Sequence, residues 1–260
     1  MPFPIQELFI FDNTHKLTNH LLKLWLKAAE EAIQARGCFM VALPGGKTPI
    51  EFFSKLAGVG DMDLWNRVQV FQTDERFVTP DSSESNYRIQ KECLLDFLSI
   101  PQGNVHPFVT EAKDVLQAAA LSQKHMMEFF QKIGVAPYFD LVILGLGEDG
   151  HTASLFPDYL PDEIKKDLVC AVEDPRVKHK RISLTFSAIN SASQVGFLVT
   201  GRQKADIVKK MLEDHIDVPA GRVHPRLGKI NYFLDKDAAQ KLTAPKNFEH
   251  DGDAVFWRIT

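Results

Sequence analysis

Cysteine is scarce in this 260-residue chain: Cys38, Cys93 and Cys170 stand far apart, with no C-x-x-C pair. That excludes a disulfide scaffold, a thiolate zinc site and a dithiol redox motif. Reduced thiols in or beside the core of a cytoplasmic protein are the expectation. Long apolar runs are missing too. No stretch reaches the roughly 18 residues of a membrane span, and the opening MPFPIQELF lacks a basic-then-apolar signal pattern. Positive charge is not in excess: 30 Lys and Arg against 34 Asp and Glu leave a formal net charge of −4. No basic surface for nucleic acid is therefore expected, and no membrane contact. Linkers of low complexity, repeats and long charge blocks are absent as well, which predicts a single domain over residues 1–260.

What is present is an alternation of short apolar runs with longer helical patterns. Leu17, Leu21, Trp25, Ala28 and Ala32 recur at helical spacing and predict an amphipathic helix ending near Gly37. Residues 38–43 (CFMVAL), 68–73 (VQVFQT), 139–144 (FDLVIL) and 195–200 (VGFLVT) predict buried strands; 181–186 (RISLTF) and 230–234 (INYFL) are further strand candidates. Helices are predicted near 85–98, 111–133 and 201–214, with Met126, Met127, Phe129 and Phe130 as packing residues of the second. The fold class this implies is α/β: a doubly wound, mostly parallel sheet with helices on both faces.

Each of the four buried strands runs into a loop rich in Gly, charge or His: PGGKTP (44–49), TDER (73–76), GLGEDGHT (145–152) and GRQK (201–204). Open parallel sheets bind ligands outside the carboxyl ends of their strands, so these loops are expected to converge. PGGKTP ends like a nucleotide-binding P-loop, but position 41, where that motif needs Gly, is Val. A one-phosphate cradle fits better: Gly45 and Gly46 allow close backbone approach, Thr48 caps a helix and Pro49 opens it. Lys47 points either to the phosphate or to solvent. Gly145-x-Gly147-x-x-Gly150 has the form of a dinucleotide fingerprint. It sits in mid-chain, carries Glu148 and Asp149 where a pyrophosphate would lie, and is followed by Pro157 and Pro161 where the motif needs a helix. Its glycines are expected to serve Asp149 and His151 instead.

His151, two residues from a carboxylate in a Gly-rich turn at a strand end, is the candidate proton acceptor, since an unperturbed imidazole takes up a proton near neutral pH. No His pair has metal-binding spacing and no G-x-S-x-G elbow activates Ser154. Arg76 and Lys204 are candidate anion ligands and Arg181 a weaker one. The composite is acid/base chemistry on a small phosphorylated molecule, with no metal.

PGGKTP, TDERFV followed by SNY (85–87), LGLGEDGHTASLFP (144–157), RISLT, GRQK and LDKDAAQ together resemble, in order and spacing over residues 10–242, the 6-phosphogluconolactonase family. The resemblance implies hydrolysis of 6-phospho-D-glucono-1,5-lactone to 6-phospho-D-gluconate in the oxidative pentose phosphate pathway, without a cofactor, on the fold shared with glucosamine-6-phosphate deaminase. It implies His151 as general base assisted by Asp149. Gly45, Gly46, Lys47, Thr48, Asp74, Arg76, Asn86, Arg181 and Lys204 would line the substrate pocket. A monomer or small homo-oligomer is expected. TPDSSESN after DERFV, Lys47, and PAGR (219–222) depart from the common pattern, all outside the His block. Two rivals are set against it. A deaminase would carry Glu at the position of Phe156 and Tyr at that of Arg76; a non-catalytic sugar-phosphate sensor would not need Asp149 and His151. The tail, 246–260, is expected to pack through Phe256 and Trp257.

Overall fold

Alternate residues along β2 (Phe39–Leu43) are all buried, and they face two different cores. Phe39, Val41 and Leu43 join one cluster, Met40 and Ala42 the other, as the period of two demands of a strand covered on both sides. The computed structural model describes residues 5–159, 167–225, 228–243 and 249–259. The other strands are β1 (Ile5–Phe11), β3 (Val68–Gln72), β4 (Asp74–Arg76), β5 (Val105–His106), β6 (Leu141–Leu144), β7 (Val169–Val172), β8 (Arg181–Leu184), β9 (Gln194–Val199), β10 (Lys229–Asp235), β11 (Glu249–Asp251) and β12 (Ala254–Ile259). The helices are α1 (Thr14–Arg36), α2 (Ile50–Ala57), α3 (Met62–Trp65), α4 (Asn86–Cys93), α5 (Val115–Ile133), α6 (Phe186–Ile189), α7 (Ala205–Leu212) and α8 (Lys236–Ala239).

Nine strands form one sheet in the order β11-β12-β1-β10-β9-β6-β2-β3-β5. From β1 to β5 every pairing is parallel; β12 runs antiparallel on β1, and β11 on β12. Helices α1 and α2 cover one face through Leu17, Leu21, Trp25, Phe52 and Phe53. Helices α5 and α7 cover the other through Ala118, Met126, Phe130, Val208 and Met211. This is the doubly wound, mostly parallel α/β class. Helix α1 begins at Asn13, whose side chain accepts from the Lys16 N–H, and ends at Gly37 with φ +80°. Among the described residues no helix is long and apolar enough to cross a membrane.

RISLTF supplies a strand as expected: β8 lies between β4 and β7 in a separate antiparallel sheet of three strands, paired with Asp74–Arg76. Three expectations need correction. Thr48 does not cap α2; Pro49 holds the cap position in helical conformation, and no side chain bonds to the helix start. Met127 is exposed, on the outer face of α5, while Met126 and Phe130 are buried. Lys47 is exposed and lies outside the cavity described below. The tail does pack: Phe256 stacks on Phe9 at 4.9 Å and Trp257 lies against the other core. No helix follows GEDGHT as far as residue 159, in keeping with Pro157; Pro161 lies outside the described residues.

Candidate active site

The loops after β2, β3, β6 and β9 meet at the carboxyl ends of four neighbouring strands and enclose a cavity of about 570 Å³. Gly45, Gly46, Thr48, Asp74, Arg76, Asn86, Asp149, His151, Arg181 and Lys204 all line it. Of the residues that the resemblance places in the pocket, only Lys47 is left out; it is exposed.

The loop after β6 is folded around one pair. His151 Nδ1 lies 2.6 Å from Asp149 Oδ1, which also accepts from the His151 backbone N–H at 3.1 Å. The hydrogen bond from His151 holds the Asp149 carboxyl down at about 2, so it is an anion that can only accept. Nδ1 is therefore the donor of this hydrogen bond, and in the neutral imidazole Nε2 is the nitrogen that can accept a proton. The glycines divide the work of making room. A Cβ on Gly147 would overlap the His151 ring and crowd Asp149, and Gly150 has φ +87° with Val218 2.6 Å from where its Cβ would be. Gly145 meets nothing there; its carbonyl accepts from Thr152 Oγ1 at 2.8 Å. Phe156 packs on the imidazole at 4.6 Å between ring centres. Ala153, at the cavity edge, is held at φ +48°, strained for a residue with a side chain.

Three cations also line the cavity. Arg76 donates from Nη1 to the Glu84 carbonyl at 2.8 Å, and Arg181, on β8, is its direct register partner. The Nε groups of both arginines, and Asn86 Oδ1, are buried without a hydrogen-bond partner. Unpaired buried donors of this kind are costly and are expected where a ligand supplies the acceptor. Burial lowers the Arg181 pKa, and Asp74, its nearest anion at 3.9 Å, opposes the shift. Burial likewise pulls Lys204 down, while Glu148 and Asp149 pull it up. Lys204 closes a short helical turn that opens at Gly201, whose N–H is held by Asp235 at 3.0 Å.

Asp74 is committed on both oxygens: Ser154 Oγ donates to one at 2.6 Å and Thr73 Oγ1 to the other at 3.2 Å. It ties the His151 loop to β4. Asn86 Nδ2 donates to the Asp74 carbonyl at 3.0 Å, and its side chain occupies the space that a Cβ on Gly45 would need. Gln90 donates to the carbonyls of Leu43 and Pro44 at 3.0 and 3.2 Å, fixing the strand end that feeds the glycines. Ser154 and Gln90 carried no signal of these roles in sequence, because their partners lie 80 and 47 positions away.

The family model for glucosamine-6-phosphate isomerases/6-phosphogluconolactonase matches residues 12–232. The chain belongs to this family. Every residue that lines the cavity falls inside the matched segment. The chain is similar to the 6-phosphogluconolactonase of Homo sapiens, 35% identical over 246 residues that cover 91% of this chain and 93% of that protein. It is 37% identical to the 6-phosphogluconolactonase of a Synechocystis species over 216 residues, covering 82% and 88%. Among solved structures it resembles 6-phosphogluconolactonase from Thermotoga maritima, with a TM-score of 0.77 at 30% identity over 89% of this chain and 100% of that one.

Proposed function

We propose that this member of the family hydrolyses 6-phospho-D-glucono-1,5-lactone to 6-phospho-D-gluconate, with His151 as general base. The observation that carries the reading is the pairing, in one cavity, of an imidazole oriented by Asp149 with two arginines whose Nε donors lack partners. The arginines, the Gly45–Thr48 turn and Lys204 receive the 6-phosphate and fix the lactone ring. Positioning then supplies much of the acceleration. His151 Nε2 takes a proton from water as the water oxygen bonds to C1. The bond from C1 to the ring oxygen breaks, and the imidazolium returns the proton to that oxygen. Asp149 stabilises the imidazolium in between. The family's amino-sugar branch needs a second acid/base group beside its His. Here that place is taken by Phe156, which has no proton to exchange and packs on the ring. The three free thiols support a reducing, cytoplasmic setting.

The test follows the loss of lactone generated in place, corrected for spontaneous hydrolysis. Wild-type protein accelerates the loss, and His151→Ala lowers turnover by about 10²–10⁴ while leaving binding of 6-phosphogluconate intact. Absence of acceleration by the wild type rejects the reaction. Full turnover by His151→Ala rejects the base assignment alone.

A further inference from the structure

One wall of the cavity is held from behind by a single carboxylate. Glu75 sits on β4 between Asp74 and Arg76, 1% exposed, and does not line the cavity. Its Oε1 accepts from the backbone N–H groups of Arg76 and Asn86, both at 2.7 Å. Its Oε2 accepts from Gln72 Nε2 at 3.0 Å, Ser85 Oγ at 3.0 Å and the Tyr87 N–H at 2.7 Å. Asn86 and Tyr87 open α4, so the carboxylate also occupies the positive end of that helix. Burying an anion is expensive unless its lone pairs are used, and here five donors use them; an apolar side chain of the same size would leave those donors unpaired. The place is thus not explained by packing. What the carboxylate does geometrically is join two cavity residues, Arg76 and Asn86, that lie ten positions apart in the chain. Its negative charge also supports the buried Arg181 guanidinium.

We infer that Glu75 is a positioning residue that fixes Arg76 and Asn86 relative to one another and thereby sets how tightly the phosphorylated substrate is held. This deepens the lactonase reading and rests on it. Gln at this position keeps the shape but turns one oxygen into an NH₂. At Oε1 that NH₂ would face the N–H groups of Arg76 and Asn86; at Oε2 it would face Tyr87 N–H. Either way a donor meets a donor and the wall shifts.

The experiment measures lactone kinetics, 6-phosphogluconate binding by calorimetry, and thermal unfolding for the wild type, Glu75→Gln and Ser85→Ala. For Glu75→Gln, KM and the product Kd rise together by about tenfold or more, while kcat per folded molecule stays within about threefold. Ser85→Ala keeps the charge and removes one of the five donors, together with the cap that Ser85 Oγ gives the Arg88 N–H at 3.2 Å; the other four donors remain, so its Kd rises by only about two- to threefold. A purely structural role would lower the unfolding temperature and the folded fraction but leave Kd and KM of the folded molecules unchanged, and that result overturns the inference. So does a fall in kcat with KM unaltered. If Glu75→Gln does not fold, Ser85→Ala decides alone, and a wild-type Kd in that variant overturns the claim. Failure of the wild type to hydrolyse the lactone is read separately, as failure of the lactonase reading.

Discussion

Gly147 is where the chemistry of the site is most exposed to a single methyl group. Any Cβ at that position collides with the imidazole of His151 and presses on Asp149, so the pair must separate or rotate. Gly147→Ala is expected to keep the fold and to lower kcat by about 10²-fold, the cost of a displacement of about 1 Å in a catalytic group. Gly60→Ala, whose Cβ would meet nothing within 4 Å and which lies outside the cavity, is the control and should retain activity. Steady-state kinetics on the two proteins, with unfolding curves to confirm equal stability, make the comparison. This contrast was half legible in sequence. The spacing of Asp149, His151 and the glycines marked the turn, but a string of residues does not say which glycine faces the ring. Lys47 and Thr48 show the same limit: the cradle was visible, while the direction of each side chain was not, and the left-handed turn at Gly46 is one that sequence only permits. Asp74 sits in the cavity as expected, yet its carboxylate is already engaged by Ser154 and Thr73, a partnership that only folding creates.

Elements buried on both faces announced themselves, since β2, β6 and β9 are nearly continuous apolar runs and β3 carries Val68, Val70 and Phe71. Elements defined by a partner did not. β4 is three residues, mostly polar, and exists because β8 pairs with it; β5 is two residues at the edge of the main sheet. β5 nonetheless carries a titratable load. His106 stacks on Phe71 at 4.4 Å, contacts Gln69 Oε1 through Nε2 at 2.9 Å, and burial pushes its pKa down from 6.5 to about 4. The folded state thus refuses a proton that the unfolded chain accepts. The stabilisation is fully present above pH 6.5, is lost as pH falls, and levels off near pH 4, with a span of at most about 3 kcal/mol. His106→Phe keeps the aromatic stack and removes the titration. Unfolding temperature plotted against pH should fall between 6.5 and 4 in the wild type and be flatter in the variant. Parallel curves for the two proteins would assign the acid sensitivity to other groups.

At the scale of the molecule, the site is assembled from segments spread over residues 44–204, while the sheet that positions them extends well beyond, to a hairpin over residues 249–259 that does not line the cavity. β11 and β12 close the sheet at β1: Leu8 faces Trp257 and Phe9 faces Phe256 in the antiparallel register, and Ala254 is fully buried against Phe11. This separates two functions of the fold, holding the site and terminating the sheet. Removing residues 249–259 would uncover a seven-residue parallel strand rich in Leu, Phe and Ile, and open strands of that kind pair with other copies. The deletion is expected to cost about 2–4 kcal/mol, or roughly 5–15 °C in unfolding temperature for a protein of this size. It should also promote aggregation on warming. At low temperature KM and kcat of the folded fraction should match the full chain, because no residue of the hairpin lines the cavity. A raised KM in the truncated protein would mean instead that the edge of the sheet and the cavity are mechanically coupled through β1 and β10, the two strands between the hairpin and β9.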